Sequence, residues 1–201
     1  MYLRVFFKNI IPSVSLLAGM FLMSVSLSAN AAQANDQSFW DLLKSGDHFV
    51  LIRHALAPGG GDPANFRVDD CSTQRNLSDE GRAQAVAIGA LFRANGIASA
   101  RVLSSQWCRC LETARLMSLG EVEEFSTLNS FFQAYEREGL QTQQLNSWLS
   151  KQDLSVPTVL VTHQVNITAL TNIFPGSGEI ILVKRTKAGA FELARRYPTR
   201  T

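Results

Sequence analysis

Histidine is scarce in this chain: its 201 residues include three. Two of the three stand at equivalent places, Arg53-His54 directly after the apolar run Phe49-Val50-Leu51-Ile52 and Thr162-His163 at the end of Thr158-Val159-Leu160-Val161. Between them, Arg101-Val102-Leu103 runs into Ser104-Ser105 and on to Arg109. A lone histidine is more often a core residue than a catalyst, and a lone arginine is usually solvated or salt-bridged. Two of each in this arrangement suit phosphoryl transfer, because guanidinium forks match phosphate oxygens bidentately and an imidazole can attack phosphorus or donate a hydrogen bond. The charges of Arg53 and Arg109 would keep a neighbouring imidazole neutral, as an attacking group must be, and would stabilise the negative oxygens of an in-line transition state. That chemistry requires no metal or other cofactor. The remaining histidine, His48, stands at the start of its apolar run and reads as structural.

These residues meet only if the runs that precede them lie side by side. Short apolar runs of this kind are buried strands of a parallel sheet. A Gly/Pro/Asp-rich loop without periodicity extends from Pro58 to about Thr73. Ser78 then reads as a helix N-cap with Asp79 and Glu80 in the first turn, Ala83, Val86, Ala87, Ala90, Leu91 and Ala94 as one helical face, and Gly96 as the stop. Residues 106–119 read as a second helix closed by Gly120, 131–150 as a peripheral helix and 166–173 as a short helix ended near Pro175. Residues 179–183 with 190–194 read as a terminal hairpin. Strands separated by helices predict an α/β fold with a mostly parallel central sheet and helices on both faces. Ligands bind such sheets outside the carboxyl ends of the strands, so Arg53, His54, Arg109 and His163 are aimed at one rim.

Four ordered blocks resemble the histidine phosphatase superfamily, which includes phosphoglycerate mutases and many phosphatases. They are Leu51-Ile52-Arg53-His54-Ala55, the helix opening Arg75-Asn76-Leu77-Ser78-Asp79-Glu80-Gly81-Arg82, the stretch from Leu103-Ser104-Ser105 through Arg109 to Glu112-Thr113-Ala114, and Val161-Thr162-His163. The resemblance implies a phosphoglycerate mutase-like three-layer sandwich. It also implies a phosphatase in which His54 takes the phosphoryl group as phosphohistidine while Arg53, Arg109 and His163 hold its oxygens. Two departures stand out. Ala55 occupies the place of the usual Gly, and Ser130 follows Leu128-Asn129 where many members carry a Glu as general acid. Gln164 after His163 supplies no acid either. Without a replacement the loss is roughly 10²–10⁴ in rate for a poor leaving group. Glu136, Glu138, Asp62, Asp69 and Asp70 are the candidates. Otherwise the leaving group needs little protonation, as in phosphoramidates or activated phosphates, or the protein is a catalytically weak phospholigand-binding or regulatory protein. A mutase fits less well, because the domain is short.

Composition sets the surroundings. With 46% hydrophobic and 18% charged residues, the chain is neither disordered nor fibrous. Its formal charge of +2 comes from Arg4 and Lys8, and the remainder balances, which gives no electrostatic reason to expect nucleic acid. Those two charges open a stretch without acids, followed by apolar residues 10–27 and then Ala29-Asn30-Ala31. This is the order of a secretory signal peptide in residues 1–31, cut between 31 and 34, ahead of a single domain over 36–201. An uncleaved anchor, the one route to membrane contact, competes because the stretch approaches the roughly 18–20 residues that span a bilayer, but Pro12 and the serines interrupt it. Export to the periplasm or beyond would place Cys71, Cys108 and Cys110 in an oxidising compartment, and a small phosphorylated molecule would be the partner. Cys108 and Cys110 are two apart on a helix start and diverge, so Cys71 pairs with one of them. Cys108 is the first choice, since Cys110 joins Leu111, Ala114 and Met117 on the apolar face.

Overall fold

The computed structural model describes residues 39–200, and the predicted signal peptide lies outside the described residues. The apolar runs form the middle of a six-stranded sheet. In chain order the strands are β1 (His48–Arg53), β2 (Arg101–Ser104), β3 (Val122–Glu124), β4 (Thr158–Thr162), β5 (Ile180–Arg185) and β6 (Phe191–Tyr197), arranged β3-β2-β4-β1-β5-β6. β3, β2, β4 and β1 run parallel, while the predicted hairpin β5–β6 adds antiparallel strands beside β1. The mostly parallel α/β sheet is therefore as expected. β3 was not foreseen, because Val122-Glu123-Glu124 offers one apolar residue at an exposed edge, where pairing alone makes the strand.

Alternation along the strands divides the core. Val50, Ile52, Val102, Val159, Val161, Ile180 and Leu182 face one layer. It is built from the helical residues 39–43 (α1), α2 (Asp79–Ala94) and α3 (Cys108–Met117). Phe49, Leu51, Leu103, Leu160, Ile181 and Val183 face α4 (Glu138–Leu149) and α5 (Gln164–Thr171) through Leu145, Leu149 and Ile167. Helices thus cover both faces.

Ser78 caps α2, its hydroxyl accepting from the Gly81 amide at 3.1 Å. The face of α2 is a correction. Gly81, Gln84, Ala85, Ile88, Gly89 and Phe92 are buried, whereas Ala83, Val86, Ala87, Ala90 and Ala94 of the expected face are exposed and Leu91 is half-buried. Backbone proximity outweighs the alanine stripe: a Cβ on Gly81 would lie 2.0 Å from the Leu56 carbonyl oxygen, and one on Gly89 would lie 1.9 Å from that of Met117. Ile88 and Phe92 are then turned into the core.

Three helix starts also differ from expectation. α3 begins at Cys108, two residues late, with an extended Trp107 as its N-cap residue, while the Gln106 amide donates to Asn129 Oδ1 and the Trp107 amide to Ser105 Oγ. α4 begins at Glu138, after a 3-10 turn over Tyr135–Arg137. α5 begins at Gln164, immediately after His163. Cys71 and Cys108 are disulfide-bonded and Cys110 is a buried free thiol. No helix among the described residues is long and apolar enough to cross a membrane.

Candidate active site

Strand register brings the two histidines abreast. Arg53 in β1 pairs with Thr162 in β4, so His54 and His163 are the next residues of adjacent parallel strands. The His54 amide donates to the Thr162 carbonyl at 2.9 Å, and the Ser105 amide, one strand further on, donates to the Val161 carbonyl at the same distance. The imidazole centroids are 5.5 Å apart. The chain leaving His54 is held on its far side, where the Ala55 amide donates to Thr113 Oγ1 and the Leu56 amide to Gln84 Oε1, each at 3.0 Å.

One pocket collects Arg53, His54, Arg109 and His163, together with Arg75, Asp62, Gly59–Gly61, Ser130, Phe132–Ala134, Gln164 and Val165. Arg109 reaches it from the first turn of α3, and the N-terminus of α5 opens beside it, an end of a helix that favours anions. Arg53 is fixed by donation from Nη1 to the Pro175 carbonyl at 2.9 Å. Arg75, to which sequence reading assigns no role, donates from Nε to the Gly61 carbonyl and from Nη1 to that of Ala57, so it shapes the glycine loop as well as the pocket wall. An arginine ahead of an N-capped helix carries no signal of its own; only the fold over of the loop gives it one.

Among the acid candidates, Asp62 alone lines the pocket. It accepts from both Arg109 Nη atoms at 2.7 and 3.1 Å, from Trp107 Nε1 at 3.0 Å and from the Arg75 amide at 3.1 Å. Burial pushes the Asp62 carboxyl up, but the hydrogen bonds and charge of Arg109, aided by Trp107 and the Arg75 amide, outweigh it and hold the group below its ordinary value. It is an ion-paired carboxylate with no proton to give. Glu136 and Glu138 are exposed, as is Asp69, and none of them, nor Asp70, lines the pocket. Ser130 does line it, its hydroxyl accepting from the Phe132 amide.

The electrostatics favour a neutral imidazole beside a bound anion. His54 is buried and donates from Nδ1 to the Ala55 carbonyl at 2.8 Å, because that carbonyl can only accept; its lone pair is therefore on Nε2. Burial first, then the charges of Arg109, Arg75 and Arg53, depress its pKa well below the usual histidine value. Burial lowers His163 in the same way, with Arg109 and His54 next. Three guanidinium groups against one carboxylate leave the pocket with positive excess, and the buried Nε–H groups of Arg53 and Arg109 find no acceptor among the described residues. Oxygens of a bound oxyanion would satisfy such donors. No group of three or more His, Cys, Asp or Glu among the described residues is placed to hold a metal ion.

Comparison with known proteins agrees with this architecture. The profile of the Histidine phosphatase superfamily (branch 1) matches residues 49–147. Similar solved structures include the protein histidine phosphatase SixA complexed with tungstate, with TM-score 0.51 at 18% identity over 74% of this chain and 95% of that one. A mycobacterial glucosyl-3-phosphoglycerate phosphatase complexed with VO3 has TM-score 0.52 at 16% identity, over 74% and 97%. An Entamoeba histolytica phosphoserine phosphatase mutant in complex with phosphoserine has TM-score 0.54 at 18% identity, over 74% and 95%. These likenesses show a shared fold. No curated protein matches the sequence.

Proposed function

The chain belongs to the histidine phosphatase superfamily, and from that membership we propose an exported phosphatase that hydrolyses a phosphate monoester through phosphohistidine at His54. The observation that carries the reading is the tautomer of His54: with Nδ1–H tied to the Ala55 carbonyl, Nε2 offers its lone pair within an arginine-walled pocket. In the first half-reaction Nε2 forms the bond to phosphorus as the ester P–O bond breaks, and the electron pair leaves with the substrate oxygen, which takes its proton from solvent water. Arg53, Arg109 and Arg75 balance the charge on the three non-bridging oxygens. Water then cleaves the P–N bond and releases phosphate. No metal takes part in these steps.

A cell-envelope sugar phosphate fits the surroundings of the site. The leader-like N-terminus and the disulfide favour an oxidising compartment. Ser130, Gln133 and Gln164 offer neutral hydrogen-bonding groups for hydroxyls at the mouth, with Phe132 beside them. A structural neighbour is a glucosyl-3-phosphoglycerate phosphatase. The test is brief reaction of the purified protein with a radiolabelled phosphate ester. Acid-labile, base-stable label should appear on His54 and vanish in His54→Ala, and label that persists in the variant would sink the assignment.

A second reading, a phospholigand-binding protein of weak turnover, is favoured by one fact: among the described residues, the only carboxylate lining the pocket is committed to Arg109. Turnover decides between them, since a binder shows phosphate affinity dependent on Arg53 and Arg109 without hydrolysis of any ester.

A further inference from the structure

Behind His163 lies a buried chain of polar groups with no contact to the pocket. Ser105 Oγ is 2.8 Å from His163 Nε2 and 3.2 Å from Asn129 Oδ1, and it accepts from the Trp107 amide at 3.3 Å. The orientation of the Asn129 amide is decided by its neighbours. Its Oδ1 faces the Gln106 amide, which can only donate, and its Nδ2 donates to Gln106 Oε1, each at 2.9 Å. The Asn129 backbone carbonyl is clamped in turn by Gln141 Nε2 and Asn166 Nδ2.

On the other side of the ring, His163 Nδ1 faces Arg109 Nη2 at 3.5 Å. A guanidinium nitrogen is a donor only, so a proton on Nδ1 would point at another donor. A neutral ring therefore carries its proton on Nε2 and gives it to Ser105 Oγ. Ser105, already accepting from Trp107, passes its own proton to Asn129 Oδ1. Donors and acceptors then run in one direction from Arg109 through His163 and Ser105 to Asn129. The Cys110 thiol, 3.5 Å from Nε2 and 3.6 Å from the Thr162 carbonyl, fits the same direction, with its hydrogen toward the carbonyl and sulfur toward Nε2–H.

We propose that Ser105 and Asn129 are positioning residues that hold His163 as the Nε2–H tautomer, so that its Nδ1 lone pair takes the proton of the water that cleaves the phosphohistidine. This inference rests on the phosphohistidine reading above. In the step, the water oxygen forms its bond to phosphorus while the bond from phosphorus to His54 Nε2 breaks, its electron pair staying on that nitrogen. The water proton moves to His163 Nδ1 and then to solvent. Because His54 keeps its Nδ1–H on the Ala55 carbonyl, the departing group is a neutral imidazole, and a weak base is sufficient. The two rings thus present opposite nitrogens to the same pocket, Nε2 of His54 as nucleophile and Nδ1 of His163 as base.

The ring proton can be read in the free protein by long-range 1H–15N correlation of histidine-labelled samples, with His163→Gln assigning the signal. We expect Nε2–H in the wild type, which needs no variant to fold; a wild-type ring protonated at Nδ1 overturns the proposal. Kinetically, phosphoenzyme formed with phosphoramidate should decay roughly 10²-fold more slowly in Ser105→Ala, while its formation changes little and Ser105→Thr restores the decay. Decay at the wild-type rate in Ser105→Ala likewise overturns it. If the wild type forms no phosphoenzyme, the function proposed above fails, and the ring measurement still judges the positioning of His163.

Discussion

Asp62 grips Arg109 with both carboxylate oxygens, and both side chains are almost wholly buried, 8% and 3% exposed. The residue that looked in sequence like a spare acid is instead the anchor that sets the direction of the phosphate-binding fork.

Asp62→Asn removes the charge while keeping the shape, and so leaves Arg109 as a buried cation with a weaker partner. Breaking a buried pair costs about 3–5 kcal/mol, and the amide oxygen recovers part of that. Thermal unfolding should show a clear loss in the variant. Inorganic phosphate should raise its melting temperature more than it raises that of the wild type, because the anion takes the place of the carboxylate. Equal stabilisation of both proteins by phosphate would contradict this account.

Gly89→Ala should be among the more damaging single-methyl additions in the chain, since the new Cβ meets the Met117 backbone 1.9 Å away and α2 and α3 must separate. Overpacking of this kind costs about 1–3 kcal/mol or more. Ala87→Ser, on the exposed face of the same helix, should stay within about 0.5 kcal/mol. Denaturant midpoints of the two variants decide whether the glycines or the alanines define the packed face.

Stability should fall as pH drops below about 6.5, the unfolded-state value of histidine. Folded His54 and His163 have strongly depressed pKa values, so in this range the unfolded chain binds protons that the folded one does not. The sign follows directly: stability rises with pH wherever the unfolded state binds more protons. Asp62, also depressed, contributes the same direction of loss only nearer the ordinary aspartate range. Urea midpoints between pH 7 and 5 should decline in the wild type and decline less in His163→Gln. A flat profile would show that neither ring is held neutral.

Reduction of the Cys71–Cys108 bond, which spans 37 residues of sequence, removes a constraint of about 4 kcal/mol in the chain-entropy treatment, an upper value. The closed loop carries Arg75, and Cys108 directly precedes Arg109, so phosphate affinity should weaken together with stability. Three free thiols in protein taken from its native compartment would remove the bridge from the account.

Export predicts a mature chain beginning between Ala32 and Asn35. N-terminal sequencing of the native protein checks it, and a chain retaining Met1 and partitioning with membrane would favour the anchor.

What the sequence by itself determined was whatever short-range pattern dictates. Short apolar runs made β1, β2 and β4, the Ser78 cap started α2, and the residues at the ends of those strands could be named because a parallel sheet sends them to one rim. The spacing of Cys108 and Cys110 ruled out their pairing with each other. Tertiary structure decided what depends on distance between segments remote in sequence. The alanine periodicity of α2 was real but faced outward, because Gly81 and Gly89 must sit against the Leu56 and Met117 carbonyls and helical period alone does not say which stripe is nearer the sheet. Asp62 became a clamp rather than an acid because a loop without periodicity folds back across 47 residues onto Arg109. Arg75 joined the pocket by the same fold of the loop. The direction of the proton on His163 depends on Arg109, Ser105 and Asn129, which the β1–β4–β2 register and the start of α3 bring together in space.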